Sequence, residues 1–290
     1  MAKLPNFIII GAGKAGTSSL RGYLRQHPEI YLCPTKETFY FLNQQVRINH
    51  RSWGAVQTFE AYSALFEAAP LNSIVGEIST IYYAHADSAA LIHEALPDVK
   101  ILAILRNPID RAFSSYQMHV NNGREKRAFK DVINLDIKYV KRGFYSAQLK
   151  PYFNIFDSSQ IKVFLYDDYC QDSASFIESI FEFIGVDSQF VPDTSKRARV
   201  GGVPKRRWVR NLLAEKNWFR TTAATALKTV MPLEARQSLR SQLLQKNTAR
   251  IRLDADSRQQ LAEIYREDIA ELQTLLGRDL SHWLKPSKTG

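Results

Sequence analysis

Cysteine is nearly missing from this chain of 290 residues, which carries only Cys33 and Cys170. Two cysteines exclude a disulfide framework, and nothing around them has metal-ligand spacing, so no metal is expected and a reducing compartment is. Long apolar runs are absent as well. After Met1-Ala2-Lys3-Leu4-Pro5 the chain is apolar only over Phe7 to Ile10, too briefly for a signal-peptide core or a membrane span. The expectation is a soluble, cytoplasmic protein without a membrane partner. Low-complexity tracts and internal repeats are lacking, which argues against disorder and against a repeat architecture. Negative charge is in deficit: 29 Asp and Glu against 39 Lys and Arg leave a formal charge of +10. That balance favours an anionic partner, such as a nucleotide, a sulfated or carboxylated sugar, nucleic acid or a membrane surface, without choosing among them. Basic residues crowd Lys196 to Arg210, where Lys205, Arg206 and Arg207 are consecutive. A solvated basic face explains that segment as well as a binding surface does.

What is present is the composition of an ordinary globular protein, 45% hydrophobic and 23% charged, long enough to bury a substantial core. Apolar Phe7 to Ile10 predicts a buried strand, followed by a glycine turn and a helix from Thr17 to about Gln26. Further buried strands are predicted at Ile74 to Glu77, Lys100 to Leu105 and Ile161 to Tyr166. Pro108 suits the first turn of a helix, where its missing N–H is not needed. Phe176, Ile180, Phe181 and Ile184 recur at helical spacing from Ser173 to Ile184, with Gly185 as the stop. From about Arg206 the chain reads helical. The alternation predicts an α/β fold, a single domain over residues 1–290 with a central parallel sheet flanked by helices.

The most informative stretch is Gly11-Ala12-Gly13-Lys14-Ala15-Gly16-Thr17-Ser18-Ser19, between the first strand and the first helix. Glycines let backbone turn tightly and approach a phosphate, and the N–H groups and dipole at a helix start attract the anion. Gly11, Gly13 and Gly16 match the dinucleotide spacing, which makes a nicotinamide-dependent oxidoreductase one reading. That fingerprint also needs an acidic residue closing the next strand, and Glu29 and Glu37 follow no clear βαβ unit. A nucleoside-triphosphatase loop would place its lysine directly before Ser or Thr, whereas Lys14 stands three residues before Thr17. No apolar strand ends in an Asp suited to magnesium.

A lysine in the turn followed by Gly-Thr-Ser-Ser resembles the 5′-phosphosulfate loop of the sulfotransferases. A second stretch, Arg106-Asn107-Pro108-Ile109-Asp110-Arg111-Ala112-Phe113-Ser114-Ser115-Tyr116, closely resembles the 3′-phosphate motif of the same family, about ninety residues on. An Arg leaving a buried strand and a Ser about two turns into the next helix can converge on one phosphate. The resemblance, nearest in motif to the heparan sulfate N- and 3-O-sulfotransferase branch, implies a P-loop-kinase-like fold and 3′-phosphoadenosine 5′-phosphosulfate (PAPS) as donor. It implies that Lys14, Ala15, Gly16, Thr17, Ser18, Ser19, Arg106 and Ser114 hold the nucleotide, with Lys14 also acting on the bridging oxygen. Gly143-Phe144-Tyr145 looks like the family's Tyr-containing helix start, which adds Tyr145 to the implied nucleotide-binding residues, and Val200 to Arg206, with Gly201, Gly202 and Lys205, looks like its nucleotide-covering loop. Here the chain departs from the heparan-type Lys-Gly-Arg form.

Sulfuryl transfer needs a base on the acceptor, a carboxylate or a histidine. Pro34 to Phe41 resembles the Glu-containing segment of heparan-type enzymes, which makes Glu37 the first candidate. Gly76 to Tyr83 also looks like a family segment and makes Glu77 the second; His85 is the third. The acceptor, a hydroxyl or amine of a carbohydrate or small metabolite, is not written in these residues, because one fold serves many acceptors. Aromatic residues between Phe39 and Phe66 could line an aromatic or lipid pocket, but residues of this kind more often form core. A nucleotide- or nucleic-acid-binding protein without transfer activity would use Lys196 to Arg210 and leave the paired motifs without purpose; nucleic acid is therefore not an expected partner.

Overall fold

The computed structural model describes residues 3–134, 137–195, 203–204, 248–249 and 252–285. Along the chain run β1 (Phe7–Gly11), α1 (Thr17–Leu24), β2 (Ile30–Leu32), α2 (Gln44–Asn49), α3 (Phe59–Ser63), β3 (Ile74–Ile78), α4 (Asp87–Ala95), β4 (Lys100–Leu105) and α5 (Pro108–Asn121). Then follow α6 (Lys138–Lys141), α7 (Tyr145–Ile155), β5 (Ile161–Leu165), α8 (Tyr166–Gln171), α9 (Ser173–Ile184), β6 (Val203–Pro204), β7 (Thr248–Ala249) and α10 (Ala255–Leu276). The chain divides into two compact units. The first comprises Met1–Arg111, Arg142–Ala198 and Tyr265–Lys285; the second comprises Ala112–Lys141, Arg199–Ile264 and Pro286–Gly290.

The first unit contains a five-stranded parallel sheet in the order β2-β3-β1-β4-β5. Phe7, Ile8, Ile9 and Ile10 are fully buried, as an unbroken apolar strand must be when helices cover both faces of a parallel sheet. Ile8 stands opposite Glu77 of β3 on one side and Ile101 of β4 on the other. The chain leaves β1 for one half of the sheet and later returns to fill the other half. The crevice outside the carboxyl end of β1 is thus the topological switch point, where open α/β sheets bind ligands.

Four expectations need adjustment. Strand β2 was not anticipated, being three residues long at the sheet edge. Helix α1 ends at Leu24, because the Gln26 and His27 N–H groups turn back to the carbonyls of Tyr23 and Leu24. Tyr166 opens α8 instead of closing β5. β3 runs on to Ile78. By contrast, β4 and α9 have the expected bounds, and α9 ends at Gly185 in the left-handed conformation. The expected helical stretch from Arg206 lies mostly outside the described residues; within them, α10 is helical.

In the second unit Phe129 packs edge-on against Phe113, with ring centroids 5.1 Å apart, and lies 4.9 Å from Tyr116. The Tyr116 hydroxyl donates to the Arg127 carbonyl at 2.9 Å. β6 and β7 form an antiparallel pair.

Candidate anion-binding and transfer site

The loop between β1 and α1 is shaped for an anion. Lys14 has φ 78° and Gly16 φ 84°, both in the left-handed region. A non-glycine residue there costs about 1–2 kcal/mol, so Lys14 holds its place against local preference. Gly16 is the N-cap of α1, yet no side chain caps it and no acidic residue stands in the first turn. The Ser19 N–H turns to the Gly16 carbonyl at 3.0 Å, which leaves the Thr17 and Ser18 N–H groups and the positive end of the helix dipole for a ligand. Thr17 is buried, Ser19 half-buried and Ser18 exposed.

Cations gather around this uncapped turn. Arg106, at the end of β4, donates to the Lys14 carbonyl at 3.3 Å, so the two nucleotide motifs of the sequence meet directly. Its guanidinium carbon lies 5.1 Å from the centroid of the Tyr166 ring. Burial lowers the Lys14 pKa, and the neighbouring charges of Arg106, Lys36 and Arg111 lower it further. Among the described residues no carboxylate pairs with Lys14 or Arg106. A positive cluster in which only Lys36 has a carboxylate, that of Glu37, acting on it among the described residues fits a ligand carrying several negative charges.

The candidate bases occupy different surroundings. Residues 33–38 run beside β3: the Cys33 N–H donates to the Gly76 carbonyl at 2.8 Å and the Glu37 N–H to the Ile78 carbonyl at 3.0 Å. Helix α1 clasps the same segment. Arg21 donates to the Pro34 carbonyl at 2.7 Å, and Lys36 Nζ to Ser18 Oγ at 3.1 Å. Glu37 Oε1 accepts from Thr80 Oγ1 at 2.7 Å, and that hydroxyl oxygen is the nearest neighbour to a β-carbon built on Gly13, at 3.5 Å. One hydroxyl therefore separates the Glu37 carboxylate from the anion loop. Burial raises the Glu37 pKa, opposed by the Thr80 hydrogen bond and by Lys36, which is the direction a general base requires.

Glu77 is fully buried in β3, and its carboxyl oxygens accept from the hydroxyls of Thr38, Ser79, Tyr82 and Tyr62. It faces a ring of protein hydroxyls instead of a cleft. His85 is half-buried just after the turn Tyr82–Ala84, and its N–H donates to the Tyr82 carbonyl. Tyr145 is fully buried and gives its hydroxyl to the Arg106 carbonyl at 2.9 Å, so it supports the strand end from behind. Ser114 lies about two turns into α5. Gly201, Gly202, Lys205 and most of the basic segment lie outside the described residues. Of the aromatic stretch, Phe39, Phe41, Tyr62 and Phe66 are core, whereas Trp53 is 59% exposed.

The sequence reading assigned no role to Thr80, Tyr166 or Asp268. Asp268 of α10 accepts the N–H groups of Tyr145 and Ser146 at 2.7 and 3.0 Å and the Ser146 hydroxyl at 2.6 Å, holding the start of α7. These contacts join residues distant in the chain, and no local pattern announces them. Arg142 is a further half-buried cation, whose pKa burial lowers while Tyr83 and Glu37 oppose the shift. The spacing of basic residues alone gave no sign of it.

Fold and site together define an α/β protein with an uncapped, cation-rich glycine loop at the switch point and a carboxylate beside it. Residues 4–273 match the family model described as sulfotransferase domain, and the chain belongs to that family. A sulfotransferase from Alicyclobacillus acidocaldarius is similar in structure, with TM-score 0.72 and 28% identity, covering 98% of this chain and 100% of that one. The membrane-associated sulfotransferase kil1 of Dictyostelium discoideum is 33% identical over 117 residues, 40% of this chain and 23% of kil1. A mouse bifunctional heparan sulfate N-deacetylase/N-sulfotransferase 4 is 27% identical over 202 residues, covering 63% of this chain and 22% of the relative. Mouse heparan sulfate glucosamine 3-O-sulfotransferase 3B1 is 22% identical over 193 residues, covering 63% and 47%. The chain thus spans less than half the length of these three relatives. The family match does not favour the dinucleotide reading. Among the described residues, no helix is long and apolar enough to cross a membrane.

Proposed function

We propose that this chain, as one domain over residues 1–290, transfers the sulfuryl group of PAPS to a hydroxyl or amine of a carbohydrate or small metabolite, in the cytoplasm. The observation that carries the reading is the meeting of Arg106 with Lys14 beside an uncapped helix start. The charge surplus and the free first-turn donors fit the phosphates of this nucleotide, which would supply the sulfuryl group. Backbone N–H groups from Lys14 to Ser18, apart from that of Ala15, which donates to the Ala12 carbonyl at 3.2 Å, and the hydroxyls of Thr17, Ser18 and Ser19 bind the 5′-phosphate side. Arg106 and Ser114 take the 3′-phosphate, and the Gly201, Gly202 and Lys205 segment covers the nucleotide. Lys14 holds its positive charge where charge develops on the leaving oxygen. Glu37 takes the acceptor proton, and its burial favours that proton transfer at neutral pH. The heparan sulfate relatives support a sugar acceptor.

Calorimetry with 3′-phosphoadenosine 5′-phosphate (PAP), compared with adenosine 5′-phosphate, ATP and NAD, tests the reading. Selective PAP binding is expected, weakened about 10- to 100-fold by Lys14→Ala and by Arg106→Ala, the worth of one charge-assisted contact each. Equal binding of nucleotides with and without the 3′-phosphate would sink it, and preference for NAD would restore the oxidoreductase reading.

A further inference from the structure

We propose that Glu77 is a positioning residue that fixes Glu37 in its left-handed backbone conformation and aims its carboxylate at Thr80. The inference rests on the reading of Glu37 as the base.

The geometry is a ladder. Glu77 Oε1 accepts from Thr38 Oγ1 and Ser79 Oγ, both at 2.6 Å, and from the Tyr82 hydroxyl at 2.8 Å, while Oε2 accepts from the Tyr62 hydroxyl at 2.5 Å. Thr38 directly follows Glu37, and Ser79 directly precedes Thr80. The Thr38 N–H donates to Ser79 Oγ at 3.0 Å, so these two residues are bonded to each other and to the same carboxyl oxygen. The next rung up is the pair that faces the anion loop, Thr80 Oγ1 to Glu37 Oε1.

Backbone conformation shows why such a clamp is needed. Glu37 has φ 61° and Phe39 φ 60°, so Thr38 sits between two non-glycine residues in the left-handed region. Conformations of this kind persist only where the surroundings over-determine them, and they cluster at working sites. The ring of hydroxyls supplies that determination. Tyr82 also accepts the Phe41 N–H at 3.3 Å and lies 2.8 Å from Thr38 Oγ1, which extends the hold across residues 38–41. Burial, and then the carboxyl of Glu77, keep the Tyr62 and Tyr82 hydroxyls well above the ordinary tyrosine pKa, so both remain protonated donors. An apolar residue at position 77 would fill the space, but it would leave four buried hydroxyls without their acceptor.

The test reads Glu37 itself, by carboxyl ¹³C NMR titration of glutamate-labelled protein, with Glu37→Gln assigning the resonance. The charged groups acting on Glu37 are Lys36, Arg142 and Glu77. In Thr38→Val, which deletes one hydroxyl and leaves every charge in place, the Glu37 titration is expected to move by about half a unit or more; in Glu77→Gln, whose amide nitrogen turns one acceptor into a donor, it moves as well, with loss of the Glu77 charge adding a downward part. Thr38→Ser keeps the hydroxyl and is expected to retain the wild-type titration. PAP affinity is expected to stay within about 3-fold in all three. An unchanged Glu37 titration in folded Thr38→Val would overturn the proposal even if Glu77→Gln fails to fold. Failure of the unsubstituted protein to bind PAP would instead overturn the sulfotransfer reading.

Discussion

Arg106 rests its guanidinium carbon 5.1 Å above the Tyr166 ring, and the same ring fills the place a β-carbon on Gly16 would take, approaching it to 2.9 Å. One aromatic side chain thus sets both the arginine of the second motif and the glycine of the first. The start of α8, directly after β5, thereby supports the candidate site from outside the two motifs.

Gly16→Ala is expected to cost about 1–3 kcal/mol of stability, from left-handed strain together with the Tyr166 clash. Gly22→Ala is its control: it lies inside α1 with no neighbour within 4 Å of the added carbon. There about 0.5–1 kcal/mol of stabilisation is expected. Urea denaturation of the two variants gives opposite signs if loop geometry, rather than glycine content, matters.

Lys14 should behave as a residue kept at the expense of stability. Its pKa is lowered, so the fold disfavours the charged form until an anion arrives. In anion-free buffer at neutral pH, Lys14→Met is expected to raise Tm. Added PAP should raise the Tm of the unsubstituted protein and leave the variant nearly unmoved. A variant that loses stability yet keeps the full PAP shift would contradict this assignment.

The pH dependence of Glu37 follows from the direction of its shift. A carboxyl whose folded pKa is raised binds its proton more readily in the folded state than in the unfolded one. Its contribution to stability falls as pH rises from the unfolded value, about 4.3, through the raised folded value, and it stays lost above both. Glu37→Gln is therefore expected to stabilise the protein at pH 8 and to have little effect at pH 4, measured by chemical denaturation at each pH.

Asp268 is expected to be a costly residue to lose. Asp268→Ala frees two buried N–H groups and one hydroxyl at the start of α7, at a cost of about 2–4 kcal/mol. Because the Tyr145 hydroxyl holds the Arg106 carbonyl, PAP binding should weaken with it. Ser146→Ala removes a single donor and should cost about 1 kcal/mol. Denaturation and calorimetry on the same samples separate the two effects.

Much of this molecule follows from the chain alone. An unbroken apolar run at Phe7 to Ile10 and another at Lys100 to Leu105 satisfy only strands covered on both faces, so they determine a parallel α/β sheet. Glycines around Lys14, and an arginine at the end of the Lys100 to Leu105 strand, point to one place at the ends of the two strands, and there the structure brings Arg106 onto the Lys14 carbonyl. Only the tertiary structure could separate Glu37 from Glu77. Both are glutamates in apolar, aromatic-rich sequence, and burial and hydrogen-bond partners tell them apart: one meets Thr80 beside the loop, the other is closed inside a ring of hydroxyls. The same holds for Tyr166 and Asp268, whose roles rest on contacts with residues far off in the chain. Local pattern fixes periodicity and turns, whereas burial and long-range hydrogen bonds exist only once the strands are laid side by side.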